Sequence, residues 1–440
     1  MELPWHMMGI ISFGLLLFLL LIGIPVGFAL ITTAMASVVI VGGGPTFLFD
    51  IPGYFFHHLD SFTITCVPLF ILMAIYAQRA GFGDDLFVTL RIWLRGLPGS
   101  LNVVGIAACA IFSAIAGNSV TTAAAVGLVA IPEYQKYGYD AKLSVGSLAG
   151  GGGLGILIPP SVPMIMYCVI CNQSIGLMFA GGILPGIMTA TMFMVYVVIR
   201  CVINPKLAPP IPREDLKRIG PFRALLNITP IVLIIICVLL TIYLGIATPT
   251  EAAGLGCFGS MALALLYRRM TAVDILKATF DGVRIIAFII LIFLGALAFG
   301  HAMVRGGVAE GLSNYIVSLG VSKYMVLSMI LGVLMILGCF MDATPITLTT
   351  MPILFPLAVK YDLNPIFFGV ICVMALETAA LTPPVGFNLF VLRGIGHRFV
   401  TMAEIIRGAT PFVLLYVLAI VIVMVFPDII MLLPDRMRGP

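Results

Sequence analysis

The sequence predicts an all-α polytopic membrane protein, built as an inverted repeat with two re-entrant hairpins and two broken helices. Composition is the first reason: 61% of the 440 residues are apolar and only 10% are charged, whereas a soluble domain carries about 25% charged residues. One soluble core could not bury this much apolar surface, which excludes a cytosolic enzyme, a nucleic-acid-binding protein and a disordered chain. The second and third reasons are the long continuous apolar runs and the breaks that recur in both halves.

Glycines, prolines and charges divide the first half, because a membrane-spanning helix needs about 20 apolar residues. An uncharged stretch with a polar centre at 116–119 predicts a re-entrant hairpin, since irregular backbone at membrane depth must be buried or line a cavity. Four glycines at 150–153, followed by Pro159-Pro160, predict a broken helix. The predicted first repeat, residues 1–204, comprises scaffold helices over 8–80 (with a turn near Pro25 and a loop over 42–61), an interfacial arm over 86–97, a hairpin over 98–134, a broken helix over 141–175 and a helix over 177–200.

A basic, proline-rich linker at 205–223 separates the halves, and the positive-inside rule assigns it to the cytoplasm. The resulting topology has ten crossings and two hairpins, with both termini outside. Arg436 and Arg438 then lie on the side that the rule disfavours. The predicted second repeat, residues 224–440, comprises scaffold helices over 225–303, an arm over 308–319, a hairpin over 322–360, a broken helix over 363–393 and a helix over 410–426.

The two halves correspond without gaps at an offset of 224 residues from Asn118 to Pro160, and at an offset of 222 near the start. Asn118 aligns with Asp342, and Pro159-Pro160 aligns with Pro383-Pro384. In the predicted topology the first hairpin enters from the cytoplasm and the second from outside, which is typical of secondary transporters with a site at the repeat interface. The sequence has no Walker A motif and no nucleophile or metal-ligand set, so it predicts a transporter driven by an ion gradient and not an enzyme.

Polar residues at the hairpin tips and helix breaks are the candidates for this site. Unwound carbonyls and half-helix ends hold cations such as Na⁺, and buried carboxylates suggest cation coordination or proton transfer. Packing is the more common reason for any single Ser, Thr or Gly in a membrane helix. Capping is an alternative role for Asp342 that is compatible with ion binding, and a structural hydrogen bond is the alternative for Glu377. The candidates are Ser113, Gly117, Asn118, Ser119, Thr121 and the Gly152-Gly153 carbonyls in the first half, and Asp342, Thr344, Thr347, Glu377, Thr378 and Thr382 in the second.

Four segments, at 116–127, 152–161, 341–345 and 377–390, resemble the large membrane subunit of the tripartite ATP-independent periplasmic (TRAP) transporters. The similarity covers essentially the whole chain. It implies an elevator-type, multi-pass transporter of the bacterial inner membrane, driven by two or more Na⁺ ions and carrying organic acids such as C4-dicarboxylates or sialic acid. It also implies two partners, a small four-helix membrane subunit and a periplasmic substrate-binding protein.

The resemblance narrows the candidate residues. It adds weight to Ser113, Asn118, Gly153, Asp342, Thr344 and Thr378 as Na⁺ ligands, and substrate contacts are expected at Ser119, Thr121, Pro160, Pro345, Thr347 and Pro384. Arg305 is a further candidate for a substrate carboxylate. Two other functions stay open: a stand-alone Na⁺/carboxylate symporter of the divalent-anion type, and a channel whose filter is formed by the glycine-rich breaks.

Overall fold

The computed structural model describes residues 4–40, 44–211, 221–397 and 399–438. All regular structure in these ranges is helical, which confirms the predicted fold class. Six of the described helices are long and apolar enough to cross a membrane, judged by length and composition alone.

Ten α-helices lie in the described part of the first half. Side-chain caps begin the last four of these helices. Asn118, Asp140, Ser161 and Ser174 each accept a hydrogen bond from a backbone N–H in the first turn of the helix that follows. Each bond satisfies a donor that the helix itself leaves unpaired. The helices are α1 (Trp5–Leu21), α2 (Val26–Ile40), α3 (Gly44–Leu59), α4 (Cys66–Arg79), α5 (Phe82–Trp93), α6 (Ser100–Ala116), α7 (Ser119–Lys136), α8 (Ala141–Gly153), α9 (Val162–Cys171) and α10 (Ile175–Ile203).

The described part of the second half consists of α11 (Pro221–Tyr243), α12 (Pro249–Leu266), α13 (Ala272–Arg305), α14 (Val308–Ser318), α15 (Lys323–Gly338), α16 (Ala343–Lys360), α17 (Pro365–Ala380), α18 (Phe387–Ile395), α19 (Met402–Val425) and α20 (Asp428–Arg438). In this half, the helices from α14 to α19 repeat the order of α5 to α10. Helix α20 was not predicted. Its 11 residues rise about 1.5 Å each, so it is too short to cross a bilayer core of about 30 Å.

The prediction of a loop over 42–61 is wrong for most of the residues in this range that the structure describes. Helix α3 occupies most of it, and residues 42–43 lie outside the described ranges. The helix contains Pro52 and ends with two histidines, which are loop signals in the sequence. Contacts with α13 explain why it forms: the Tyr54 ring stacks on His301 with centroids 4.5 Å apart, and Asp50 pairs with Arg305 at 3.0 Å.

Small residues bring helices of the two repeats into direct contact. A Cβ added at Gly295 of α13 would lie 2.6 Å from the carbonyl oxygen of Gly27 in α2. A Cβ added at Gly146 of α8 would lie 2.2 Å from the carbonyl oxygen of Gly408 in α19. Because membrane helices gain little from hydrophobic burial against one another, such close backbone approach is what holds them together.

The two short helices that precede the hairpins, α5 and α14, act as arms between the scaffold and the hairpins. Each lies between two glycines with left-handed backbone angles: Gly81 and Gly99 (φ +71° and +70°) around α5, and Gly307 and Gly320 (φ +66° and +63°) around α14. Other residues adopt this conformation only with strain. The chain direction at both ends of each arm therefore depends on glycine.

Ion pairs connect the arm α5 to both of its neighbours. Asp85 pairs with Arg269 of the scaffold at 2.8 Å, and Arg91 pairs with Glu133 of α7. Burial raises the pKa of the Asp85 carboxyl above its usual value, and the Arg269 guanidinium acts against this. The arm is thus attached to the scaffold at one end and to the first hairpin at the other.

Reversing one charge of the Arg91–Glu133 pair is expected to lower the thermal stability of the protein in detergent. The side chains are 16% and 26% exposed, so the cost of Arg91→Glu or Glu133→Arg should be about 1–3 kcal/mol, between values for exposed and buried pairs. The double exchange should restore most of the loss. Arg95→Glu, at an exposed position just after α5, serves as the control. A double exchange that is no more stable than the single variants would contradict the attachment.

Candidate transport site

A cavity of about 980 Å³ lies between the two hairpin tips and the scaffold. Its wall is largely apolar, with polar side chains from both tips and from Gln78 of α4. None of the described residues that line it is basic. The scaffold contributes Leu17, Leu20, Leu21, Gly23, Ile24, Pro25, Val26, Ile71, Ala74, Ile75, Gln78, Ile285, Phe288, Ile289 and Ile292, and the hairpin and broken-helix side contributes Ala116, Asn118, Val120, Thr121, Val162, Leu337, Phe340, Met341, Asp342, Thr344, Pro345 and Phe387.

The first tip is held against the break of the first broken helix. Gly117 reverses the chain with φ +62°, and its carbonyl accepts the N–H of Val162 at 3.1 Å. A Cβ at Gly117 would lie 2.9 Å from the Pro160 carbonyl oxygen. Asn118 then begins α7, and its Oδ1 accepts the N–H of Thr121 at 3.1 Å. Backbone carbonyls of the tip and of the break therefore lie close together.

The second tip differs from the first in its capping. Asp342 precedes α16 at the position that corresponds to Asn118, yet its side chain makes no capping hydrogen bond. It lines the cavity with Thr344. The Thr347 hydroxyl donates to the Ala343 carbonyl at 2.8 Å, so its lone pairs remain available. Capping alone therefore does not explain Asp342.

The two breaks are similar in backbone and different in exposure. Pro159-Pro160 and Pro383-Pro384 both contain a cis peptide bond. The first pair is buried, whereas the second is exposed. Near the second break the Thr378 hydroxyl donates to the Met374 carbonyl, and the Thr382 hydroxyl donates to the Thr378 carbonyl, both at 2.8 Å.

The structure brings five of the twelve predicted site residues to the cavity wall: Asn118, Thr121, Asp342, Thr344 and Pro345. Ser113, Ser119, Gly153, Pro160, Thr347 and Thr378 are buried beneath the tips and breaks, and Pro384 is exposed outside the cavity lining. The roles of all twelve stay predictions. Arg305 lies outside this lining and pairs with Asp50.

Glu377 lies in a polar cluster that the sequence did not predict. Its side chain is fully buried, and its Oε1 accepts the Asn388 amide Nδ2 at 3.2 Å. Its other oxygen, Oε2, and Asn388 Oδ1 have no hydrogen-bond partner among the described residues. Asn388 falls within one of the four sequence segments discussed above, but nothing in the sequence pairs it with Glu377. Gln78, which lines the cavity, was also not predicted, because only its polarity distinguishes it in the sequence.

The oxygens at the tips and breaks fit a hard monovalent cation such as Na⁺. They are hydroxyl, amide, carboxylate and backbone carbonyl oxygens, which such ions prefer in broken helices. Hydroxyls that donate to a carbonyl in the preceding turn keep their lone pairs for a cation. The two unpaired oxygens of Glu377 and Asn388 add acceptors that a cation would satisfy.

Comparison with known proteins identifies the family. Residues 13–429 match the family described as "Tripartite ATP-independent periplasmic transporter, DctM component". The chain belongs to this family. The C4-dicarboxylate TRAP transporter large permease protein DctM of Pseudomonas aeruginosa is 31% identical over 86% of this chain and 88% of the relative.

A second relative agrees with this membership of the TRAP family, and one solved structure shares the fold. The sialic acid TRAP transporter large permease protein SiaM of Vibrio cholerae is 29% identical over 96% of this chain and 97% of the relative. The crystal structure of the YdaH transporter of Alcanivorax borkumensis superposes with a TM-score of 0.66 over 88% of this chain and 90% of that chain. That pair is only 14% identical, so the likeness concerns the fold alone.

Proposed function

We propose that the chain is the large permease of a Na⁺-coupled importer of an organic acid, of the C4-dicarboxylate or sialic acid class. A periplasmic binding protein delivers the substrate, and a small membrane subunit enlarges the scaffold in the inner membrane. Relatives that carry C4-dicarboxylate and sialic acid in their names support the substrate class. The observation that carries the proposal is the cavity shared by both hairpin tips and the scaffold.

Charge in the cavity supports coupling between substrate and cation. The described lining contains Asp342 and no basic residue, so an anionic substrate alone would be repelled. The N-termini of α7 and α16 at the tips favour negative charge, but they are partial charges. Na⁺ bound at the tips would supply the remaining positive charge. An organic acid and Na⁺ are therefore expected to bind together.

The packing on either side of the cavity supports an inward-facing state. Gln78 lines the cavity next to Arg79, and the nearby Arg268 and Arg269 mark this end as cytoplasmic by the positive-inside rule. Toward the other end α13 packs tightly on α16, because a Cβ at Gly300 would lie 2.9 Å from Cγ of Pro352. The substrate would leave toward the cytoplasm from this state.

The contacts within the hairpins and broken helices, and between them and the scaffold, indicate how the protein would move between inward-facing and outward-facing states. The first tip and the first break are hydrogen-bonded to each other, so hairpins and broken helices would move as one transport domain. The apolar wall formed by α1, α4 and α13 offers a surface along which this domain could slide with little loss of hydrogen bonds. The glycines at both ends of α5 and α14 would let the arms change direction. This arrangement supports an elevator mechanism.

Uptake into proteoliposomes tests the proposal. The liposomes contain this chain and its small subunit, and labelled sialic acid or a C4-dicarboxylate is added with or without an inward Na⁺ gradient and the cognate binding protein. We expect accumulation only when both are present, and collapse of the Na⁺ gradient with an ionophore should release it. Accumulation without the binding protein would instead indicate a stand-alone symporter. Flux that only equilibrates would indicate a channel.

A further inference from the structure

A buried oxygen cluster joins the two repeats at the centre of the proposed transport domain. Glu377 lies in the last turn of α17, and Asn388 lies in the first turn of α18. Gly153 ends α8 of the other repeat, and Tyr416 belongs to α19. A Cβ added at Gly153 would lie 2.6 Å from Glu377 Oε1 and 2.7 Å from the Tyr416 hydroxyl. Four helices thus bring polar atoms to one point.

The cluster has more acceptors than donors. Its hydrogen bonds are the Asn388 amide to Glu377 Oε1 at 3.2 Å and the Tyr416 hydroxyl to the Gly150 carbonyl at 3.4 Å. Glu377 Oε2 and Asn388 Oδ1 have no partner in the described part of the chain. Both side chains are fully buried. Buried acceptors without a donor are rare in native proteins and call for a ligand that accepts their lone pairs.

A carboxylate at Glu377 would have no counter-ion within the described part of the chain. No ion pair among the described residues involves it, and an unpaired carboxylate at membrane depth is costly. A monovalent cation would neutralise the Glu377 carboxylate. Asp342 of the second tip acts electrostatically on Glu377 but is not its hydrogen-bond partner. Carboxylate, amide, hydroxyl and carbonyl oxygens are the ligands that hard cations take.

We propose that Glu377, Asn388, Tyr416 and the Gly150 carbonyl form a monovalent cation site, selective for Na⁺ over bulky cations, at the junction of the two broken helices. The site rests on the Na⁺-coupled function proposed above. It lies behind the hairpin tips: none of its residues lines the cavity, and Asp342 of the second tip acts on Glu377 only electrostatically. A cation here connects α8 and α19 to α17 and α18. It would make the two broken helices one rigid unit, so that both tips move together.

Thermal unfolding of the purified protein tests the site without any transport. Melting temperature is measured against NaCl, with choline chloride holding the ionic strength constant. The background is the Asn118→Ala/Asp342→Ala double variant, which lacks the tip ligands. We expect the melting temperature of this background to rise with Na⁺ and to reach a plateau. Adding Glu377→Gln should weaken the apparent affinity for Na⁺ by about tenfold or more. Glu310→Gln, at an exposed position of α14, is the matched control and should leave the titration unchanged.

Tyr416→Phe provides a second variant in case Glu377→Gln does not fold. It removes one ligand oxygen and keeps the ring, so a smaller loss of Na⁺ affinity is expected. An unchanged Na⁺ titration in every variant that folds overturns the site and indicates that Glu377 is a neutral, protonated carboxylic acid. Absence of any saturable Na⁺ response in the background also overturns it. Neither result depends on the uptake assay, so failure of this site and failure of the proposed transport function can be distinguished.

Discussion

Gly153→Ala is expected to lower the melting temperature of the protein and to abolish uptake. The new methyl carbon would lie 2.6 Å from Glu377 Oε1 and 2.7 Å from the Tyr416 hydroxyl, well inside van der Waals contact. Both side chains are fully buried, so neither can turn toward solvent. Overpacking of this kind costs about 1–3 kcal/mol, and here it also separates polar atoms of the two repeats.

Gly332→Ala is the matched control for this prediction. Gly332 also lies within a helix, α15, but a Cβ there has no neighbour within 4 Å. Alanine is a better helix former than glycine by about 1 kcal/mol, so this variant should be as stable as the parent or more stable. Thermal unfolding and Na⁺-driven uptake measured on both variants decide the matter. Equal stability of the two variants would contradict the prediction, because it would show that the side chains around Glu377 can move aside for the added methyl group.

The hairpins and breaks could be predicted from the sequence because their signals are local. Polar residues interrupt uncharged runs at 116–119, and glycines precede Pro159-Pro160. These residues dictate backbone geometry wherever they occur, since an interrupted helix at membrane depth must be covered by protein. Helix α3 could not be predicted in the same way. Its local signals, Pro52 and the terminal histidines, favour a loop, and only its contacts with α13 stabilise a helix.

The candidate site was predictable only in part for the same reason. Asn118 and Asp342 correspond by the repeat offset, and both line the cavity. The partners of Glu377 come from three other helices, and no spacing along the chain indicates which side chains meet at that point. The scaffold wall of the cavity is almost entirely apolar, so in the sequence it cannot be told from any other lipid-facing or core surface.

Asp342→Ala and Asn118→Ala are both expected to weaken the Na⁺ dependence of uptake, and the second should lower stability more than the first. Asn118 Oδ1 caps α7 through the N–H of Thr121 at 3.1 Å, and loss of such a cap costs about 1 kcal/mol. The Asp342 carboxyl faces the backbone N–H groups of Ala343 and Thr344 but forms no capping hydrogen bond of good geometry, so its removal should affect the cation more than the helix. For each variant the Na⁺ concentration at half-maximal uptake should rise about tenfold or more.

Asp342→Asn separates charge from ligation at the second tip. It keeps one oxygen and removes the negative charge that faces the cavity, so its Na⁺ requirement should fall between those of the parent and of Asp342→Ala. Asn227→Ala, in the scaffold helix α11 and outside the cavity lining, is the control and should leave Na⁺ activation unchanged. If both tip variants activate with Na⁺ as the parent does, the tips do not hold the coupling ions. The cavity would then have to balance the charge of its substrate in another way, since none of its described lining residues is basic.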